Sequence, residues 1–455
     1  MKRAPIHQII FILQESFEEL NVKISDKDVE HLGLLIHNSM IGNRRKFHLP
    51  EHVLSVMKDL KNPLQKLAVL FHDAIYFQVD GGYPQNLQDF LEDYAMIKGD
   101  EVFIIRNDIT EHDTIFRLVL DIFRFSLGQK LSPFQGLNEF LSAVTAAKLL
   151  EPFLLPKQLA TIITCIEATI PFRPQTEIWS FKQNENNIER LNNKYQLGYK
   201  AKEIENSIKL SVEVANADVL NFSDTNTGRF LDNTWLLIFE SNNIQTNLDG
   251  YSYSIIKYRQ GIMRTESFIR TLNPDNIFHE YKGTPTKEIF TNFRTQARSN
   301  LLIACEYLQI KLLLATILEA FAIVTGKDVP LSLLTGGVRN STTKHQIDRV
   351  EDFLDTPKPL YENIEHQPEV LHLLEYGRET ETSFDMKNSP LSAYVYKSLG
   401  SKRCAEIIEK ARDLFSEKIY YYEFLDFVDK PIISALAKAC AKVATTRAKA
   451  LAKYF

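Results

Sequence analysis

Apolar residues recur at three- and four-residue spacing along most of the chain, the pattern of helices that bury one face. The spacing predicts helices at about 5–20, 26–40, 85–97, 112–127, 136–151 and 156–169, with Pro171 ending the last. Ser25 or Asp26 is suited to cap the second of these. Between Arg44 and Tyr76 two shorter helices fit the sequence RRKFHLPEHVLSVMKDLKNPLQKLAVLFHDAIY. The first has Pro50 near its start and groups His52, Val53, Val56, Met57 and Leu60 on one face. The second starts near Pro63 and groups Leu64, Leu67, Ala68, Phe71 and Ile75, with His72 beside them. From Ile204 to Phe222 one helical face carries Ile208, Ser211, Val212, Ala215, Val219 and Phe222. A long helical pattern spans about 286–325. After the polar break of Gly336-Gly337 and NSTTKH, shorter helices follow at about 345–354, 366–376, 390–399 and 401–416. Alternation at period two is scarce, so the expected class is all-α: a helical bundle followed by a C-terminal helical region.

Length changes the picture by suggesting more than one domain, since 455 residues exceed a single usual core. The expected division is 1–280 and 285–455, with YKGTPTKE as the linker or turn between them. The net charge of -5 offers no general attraction to nucleic acid. Cys165, Cys305, Cys404 and Cys440 lie far apart and form no CxxC pair, which argues against a disulfide framework or zinc ribbon and suits a reducing compartment. The apolar run IIFIL near the start is too short for a signal peptide, and acidic residues follow it at once. The run from Leu301 to Val324 is interrupted by Glu306, Lys311 and Glu319, so no transmembrane segment is expected. A soluble cytoplasmic protein is the expectation.

Candidate chemistry centres on the stretch between Arg44 and Tyr76, which holds His48, His52, His72 and Asp73. An apolar wall around nitrogen and carboxylate ligands suits a buried metal ion; core histidines bonded to backbone are the alternative for each ring taken singly. Asp218 falls on the apolar face of its helix, with no Lys or Arg nearby on that helix. A buried carboxylate needs a counter-charge, so a metal, a capping role or a distant arginine must serve.

Taken together, FHLPEHVLSV, LAVLFHDAIY and the later NADVLNF resemble the HD superfamily of metal-dependent phosphohydrolases, in the branch that includes cyclic nucleotide phosphodiesterases. The resemblance covers about 25–280. It implies an HD-type helical bundle with His52, His72, Asp73 and Asp218 as metal ligands, Asp73 thereby serving catalysis as well, and His48 as proton donor. It implies a divalent ion (Mg, Mn, Fe or Zn), one or two in number, and a small nucleotide substrate, cyclic nucleotides included. Tyr258-Arg-Gln-Gly-Ile is similar to a phosphodiesterase segment whose glutamine reads the purine, which would make Gln260 a substrate contact. Arg173, with Arg44 and Arg45, could neutralise phosphate charge. Two departures stand out. Phe172 occupies the place where many relatives have a histidine, and the acid and asparagine often found after the His-Asp loop are missing from VDGGYPQN, where Asp80 could compensate. Both weigh against a second metal.

Such a site would lower the pKa of bound water toward about 7 and deliver hydroxide to phosphorus, with His48 protonating the leaving oxygen. A catalytically degenerate metal-binding regulatory or interaction protein is the alternative, and a purely structural helical scaffold a third. The segment Lys430–Phe455 has six Lys or Arg and no acid. It reads as a basic amphipathic helix that packs on its own core or serves a partner or homodimer contact, an anionic membrane surface being the other partner open to it.

Overall fold

The computed structural model describes residues 3–42, 44–99, 101–177, 179–241, 254–337, 348–380 and 387–455. The chain is all-α apart from one small three-stranded sheet. It divides into two compact units, 1–223 with 273–297, and 224–272 with 298–455.

The first unit opens with helices Pro5–Glu19 and Asp26–Met40. Pro5 sits in the first turn of one, and Ser25 accepts from the Asp28 backbone N–H to cap the other. Pro50–Val56 and Pro63–His72 follow, each again with proline at its start. The centre is the helix Pro156–Ala168, in which every residue from Leu159 to Ala168 is buried. It packs against Pro63–His72, Leu137–Leu150 and Ala201–Asp218. A helix enclosed on all sides is apolar all round, as this one nearly is.

Between these helices the expected helix at 85–97 is replaced. Short turns at Gln85–Leu87 and Gln88–Glu92 lead into strand Ala95–Lys98, which pairs antiparallel with Glu101–Ile104, and that strand pairs with Lys130–Leu131. Gly99, at φ +63°, makes the reversal that ends the first strand, and Val102 and Ile104 alternate into the core. The alternation covers too few residues to stand out from a helical pattern in sequence.

His279, near the start of this unit's second segment, is 4% exposed between the edges of Trp179 and Phe181, at 5.7 and 5.3 Å. Burial, with the Arg173 charge adding, pushes its pKa down to about 4. The folded value is below the unfolded value, so the neutral ring's contribution is complete above about pH 6.5 and is lost as pH falls toward 4. The expected loss is about 3 kcal/mol from this group. Denaturant unfolding at pH 6.5 and pH 4 should show that much less acid sensitivity in His279→Gln than in the natural chain; equal sensitivity would remove His279 from the account.

The second unit takes in 224–272, which the sequence pattern had grouped with the N-terminal domain. Its side chains explain the reassignment. Asn300 donates to the Asp224 carbonyl at 2.8 Å and accepts from Thr227 at 2.9 Å. Arg259 is paired with Glu319 at 2.7 Å, both buried. Trp235 meets Tyr307 edge-on at 6.1 Å. Thr227–Ser241 and Ile255–Thr271 are thus tied to the long helix Lys287–Val324 rather than to the helices before them.

That long helix passes, by length and composition, for a membrane span, but the apolar window is 72% buried within the protein. It is a core helix. Pro390–Phe415 is two helices joined at Gly400, whose φ of +74° and ψ of 172° break the helical path, as the separate patterns at 390–399 and 401–416 predict. The expected break NSTTKH and the start of the expected helix at 345–354 fall outside the described residues; beyond them only a short turn, Val350–Phe353, is helical. In Lys430–Val443, Ile432, Ile433, Leu436 and Cys440 are buried while Lys430, Lys438 and Lys442 are exposed. The apolar face of this basic helix is used within its own unit. All four cysteines are free thiols.

Candidate metal centre

His52, His72, Asp73 and Asp218 meet at one point of the first unit, with one ligand atom from each lying within 4.8 Å of all the others. His52 sits in the helix Pro50–Val56. His72 is the last residue of its helix and Asp73 the residue that caps it. Asp218 is the last residue of Ala201–Asp218. Asp218 Oδ1 lies 3.3 Å from His52 Nε2 and 3.2 Å from His72 Nε2. Asp73 Oδ2 lies 3.5 and 3.1 Å from the same two nitrogens. Ligands about 2.1 Å from one ion are about 3.0–3.4 Å apart at octahedral or tetrahedral angles, so these spacings fit a shared cation.

Three further observations support the fit. Asp73 Oδ2 is buried and, despite its closeness to His72, makes no hydrogen bond. Atoms that are near one another without being aimed at one another are what ligands of a common ion look like. His72 Nδ1 donates to the Val69 carbonyl at 2.8 Å, which leaves the Nε2 lone pair of the neutral ring facing the cluster. Two helices also end here, and the partial negative charge of helix C-termini favours a cation.

The electrostatics agree. Burial opposes charge on His72, yet the carboxylates of Asp73 and Asp218 prevail and hold its pKa well above the ordinary value. Burial would likewise raise the two aspartates. The facing histidines hold both below the usual carboxylate range, Asp218 at about 2. The pocket selects for positive charge, whether a proton or a metal ion supplies it.

Arg45 has a role that sequence did not suggest. It is 2% exposed, and its side chain bridges the His-Asp turn to its surroundings. Nε and Nη2 donate to the two oxygens of Asp80 at 3.0 and 2.6 Å. Nη1 donates to the carbonyls of Asp73 at 2.7 Å and His48 at 3.3 Å, and Nη2 to that of Ala74 at 3.2 Å. Arg45 is therefore committed to holding the turn and is not a phosphate contact, and Asp80 is its counter-ion rather than a substitute ligand.

His48 stacks on Tyr76 at 4.2 Å and lies close enough for its charge to lower Asp73. That places it beside the cluster, as expected. Arg173 is held by Glu167, through the side chain at 2.8 Å and the backbone carbonyl at 2.6 Å, with its guanidinium 4.0 Å over the Trp179 ring. Glu167 also accepts from Trp179 and Asn184, so this arginine is rigidly mounted. Thr169, by contrast, bonds only its own helix end, at the Ile166 carbonyl. Gln260 lies half-buried on Ile255–Thr271 in the second unit and is not among the residues that the first unit gathers at the cluster. Phe172, at φ +58°, packs edge-on against Phe222 at 5.5 Å.

A third helix of this unit also reaches the His-Asp turn. Helix Leu137–Leu150 brings Asn138 to the Phe77 N–H at 3.0 Å and Ser142 to the Ile75 N–H at 3.0 Å. Between them Glu139 stands within reach of the Asp73 and Asp218 charges. Its Oε2 is shut off from solvent without a hydrogen bond. Burial, aided by those two charges and opposed by Arg173, pushes its pKa up to about 7. Sequence held a usable signal for it: an acid flanked by Leu137, Phe140 and Ala143 on an apolar helix, the same reason Asp218 stood out.

No protein-family model, no curated protein and no solved structure matches this chain.

Proposed function

We propose that this protein is a metal-dependent phosphohydrolase of the HD type, hydrolysing a phosphodiester or phosphomonoester of a nucleotide, cyclic nucleotides included. The observation that carries this reading is the convergence of His52, His72, Asp73 and Asp218 within 4.8 Å. A divalent cation held by them supplies charge for a phosphoryl oxygen and acidifies water. The chain's own residues do the rest. Arg45 and the Val69 carbonyl fix the ligands in place. His48 donates a proton to the leaving oxygen. Glu139, buried within reach of the ligand carboxylates, holds or accepts a proton beside them. Arg173, rigidly mounted, adds positive potential toward phosphate. The free thiols accord with a reducing, cytoplasmic setting.

The test is metal analysis of the purified protein, then turnover of a panel of phosphodiesters and nucleotides with His72→Ala and Asp73→Ala as controls. Turnover that survives both substitutions would place the chemistry elsewhere. His48→Ala should keep its metal yet slow substrates with poor leaving groups by about 10²–10⁴-fold. A nitrophenyl ester, whose leaving group needs no proton, should suffer far less; equal losses on both would exclude His48 as the acid.

Phe172, where a further histidine was expected, favours one other reading. A metal-binding regulatory protein would keep its ion and turn over nothing on the panel, with the helical second unit or its basic last helix serving a partner or a second copy.

A further inference from the structure

Beside the His-Asp turn, on the far side of Arg45 from Asp73, a cavity of about 730 Å³ opens within the first unit. None of the four candidate ligands lines it. Its wall is formed by the end of helix Asp26–Met40, by Gly42 and Arg44, and by the stretch from Asp80 to Asn86. The volume is in the usual range for a small-molecule site, about 300–1,000 Å³.

The wall has a definite chemistry. Arg44 is its one cation, exposed, and without an acid partner among the described residues. Its guanidinium lies over the backbone of Gly81, where a Cβ would stand 2.5 Å from Nη1. Gly81 also has φ +75°, and it is this conformation that favours glycine there. Gly42 similarly lets the Asp80 carboxylate approach, since a Cβ there would be 3.1 Å from Oδ1. The other polar lining groups, Asn38, Ser39, Gln85 and Asn86, are neutral. One positive charge answers one anionic group. Ser39 and Asn86 already donate to the Ile36 and Leu35 carbonyls, so the amides of Asn38 and Gln85 answer sugar-like hydroxyls, and Asp80, the one carboxylate, can accept another.

Asp80 also joins this cavity to the candidate metal centre. The same Arg45 that holds both Asp80 oxygens holds the Asp73 carbonyl at 2.7 Å. A ligand hydroxyl on Asp80 competes with Arg45 for that carboxylate. Any resulting shift of the guanidinium is felt at the backbone of a ligand residue.

We propose that this cavity binds a small phosphate ester of sugar-phosphate or mononucleotide size, with its phosphate on Arg44, and that occupancy changes metal affinity through Asp80 and Arg45. The binding half stands independently of the phosphohydrolase reading; the coupling half rests on the metal centre.

The probe is ribose 5-phosphate, titrated calorimetrically into the full chain in EDTA, with ribose and inorganic phosphate as separate arms. The ester should bind at least about tenfold more tightly than ribose or phosphate alone. Arg44→Ala, at an exposed position, should weaken the ester at least about tenfold, and His72→Ala should leave it within about twofold. Saturating ester should shift Mn affinity by about fivefold or more in the natural chain, and not in Asp80→Asn. No binding of the ester, or unchanged binding in Arg44→Ala, overturns the site. Loss of binding in His72→Ala also overturns it, by placing the ester at the metal centre, and leaves the phosphohydrolase reading intact. Binding without any change in Mn affinity overturns the coupling. Ile41→Trp, at an exposed lining position, narrows the cavity without replacing a charged residue and should weaken the ester while thermal unfolding stays two-state. If it does not weaken binding, the ester is seated elsewhere.

Discussion

Asp218→Ala is expected to abolish stoichiometric metal binding while the protein stays folded. Asp218 Oδ1 is the atom both imidazoles approach, at 3.2 and 3.3 Å, so its removal opens the cluster from the side opposite Asp73. The metal-free fold loses some stability as well, because the facing histidines hold Asp218 below the usual carboxylate range and its charge therefore favours the folded state. Relief of the repulsion between the Asp73 and Asp218 carboxylates offsets this only in part, since His72 also loses a counter-charge. The two effects separate cleanly in one experiment. At a metal concentration 100 times the dissociation constant, the natural chain gains about 2.7 kcal/mol from binding. For a unit of this size that is about 5–10 °C in thermal midpoint. Asp218→Ala should show no such gain, and its metal-free midpoint should lie below that of the natural chain. A variant that still takes up one ion with undiminished affinity would mean that the four residues are not the metal centre, and the proposed hydrolase would fall with them.

Arg45→Met should be the most destabilising single change in the first unit. It leaves the Asp80 carboxylate, 10% exposed, without its counter-ion and deprives the carbonyls of His48, Asp73 and Ala74 of a donor. Breaking a buried pair from one side costs about 3–5 kcal/mol, and orphaned carbonyls add to it. Arg45→Met with Asp80→Asn should recover part of the loss, because the stranded charge is gone while the carbonyls remain unsatisfied. Chemical denaturation of the four members of this cycle measures the coupling. A loss below about 1 kcal/mol in Arg45→Met would show that water replaces the guanidinium, and that the turn needs no clamp.

Several of these features are local and can therefore be read in sequence. Pro5, Pro50, Pro63 and Pro156 each mark a helix start because a proline nitrogen has no hydrogen to leave unsatisfied there. Ser25 caps its helix as its position predicts. Asp218 announces itself as a carboxylate on an apolar face that must find a cation, and His52 and His72 as rings on the inner side of neighbouring short helices. In each case a spacing of three or four residues says which way a side chain faces, before anything is known of what it meets.

Other features depend on parts of the chain that sequence spacing does not connect. Glu139 reaches the cluster only because the helix Leu137–Leu150 packs on Pro63–His72, after a small sheet has intervened. The acid that follows the His-Asp turn in sequence is Asp80, whose charge Arg45 already occupies. Arg45 itself reads as a basic loop residue, and only burial against three carbonyls makes it a clamp. Likewise the resemblance groups 224–272 with the residues before it, and Asn300 and Glu319 on a distant helix decide which unit it joins.

The sequence by itself determined where most helices begin and end and which faces they bury, and it singled out the four residues that could share an ion. Backbone capping and helical periodicity act over a few residues, so they are written locally. The tertiary structure alone decided which of the remaining charged residues are anchors and which stand at the cluster, and where one unit gives way to the next. Those outcomes depend on burial and on partners brought from far along the chain, because a charge removed from water keeps its place only beside whatever the fold sets against it.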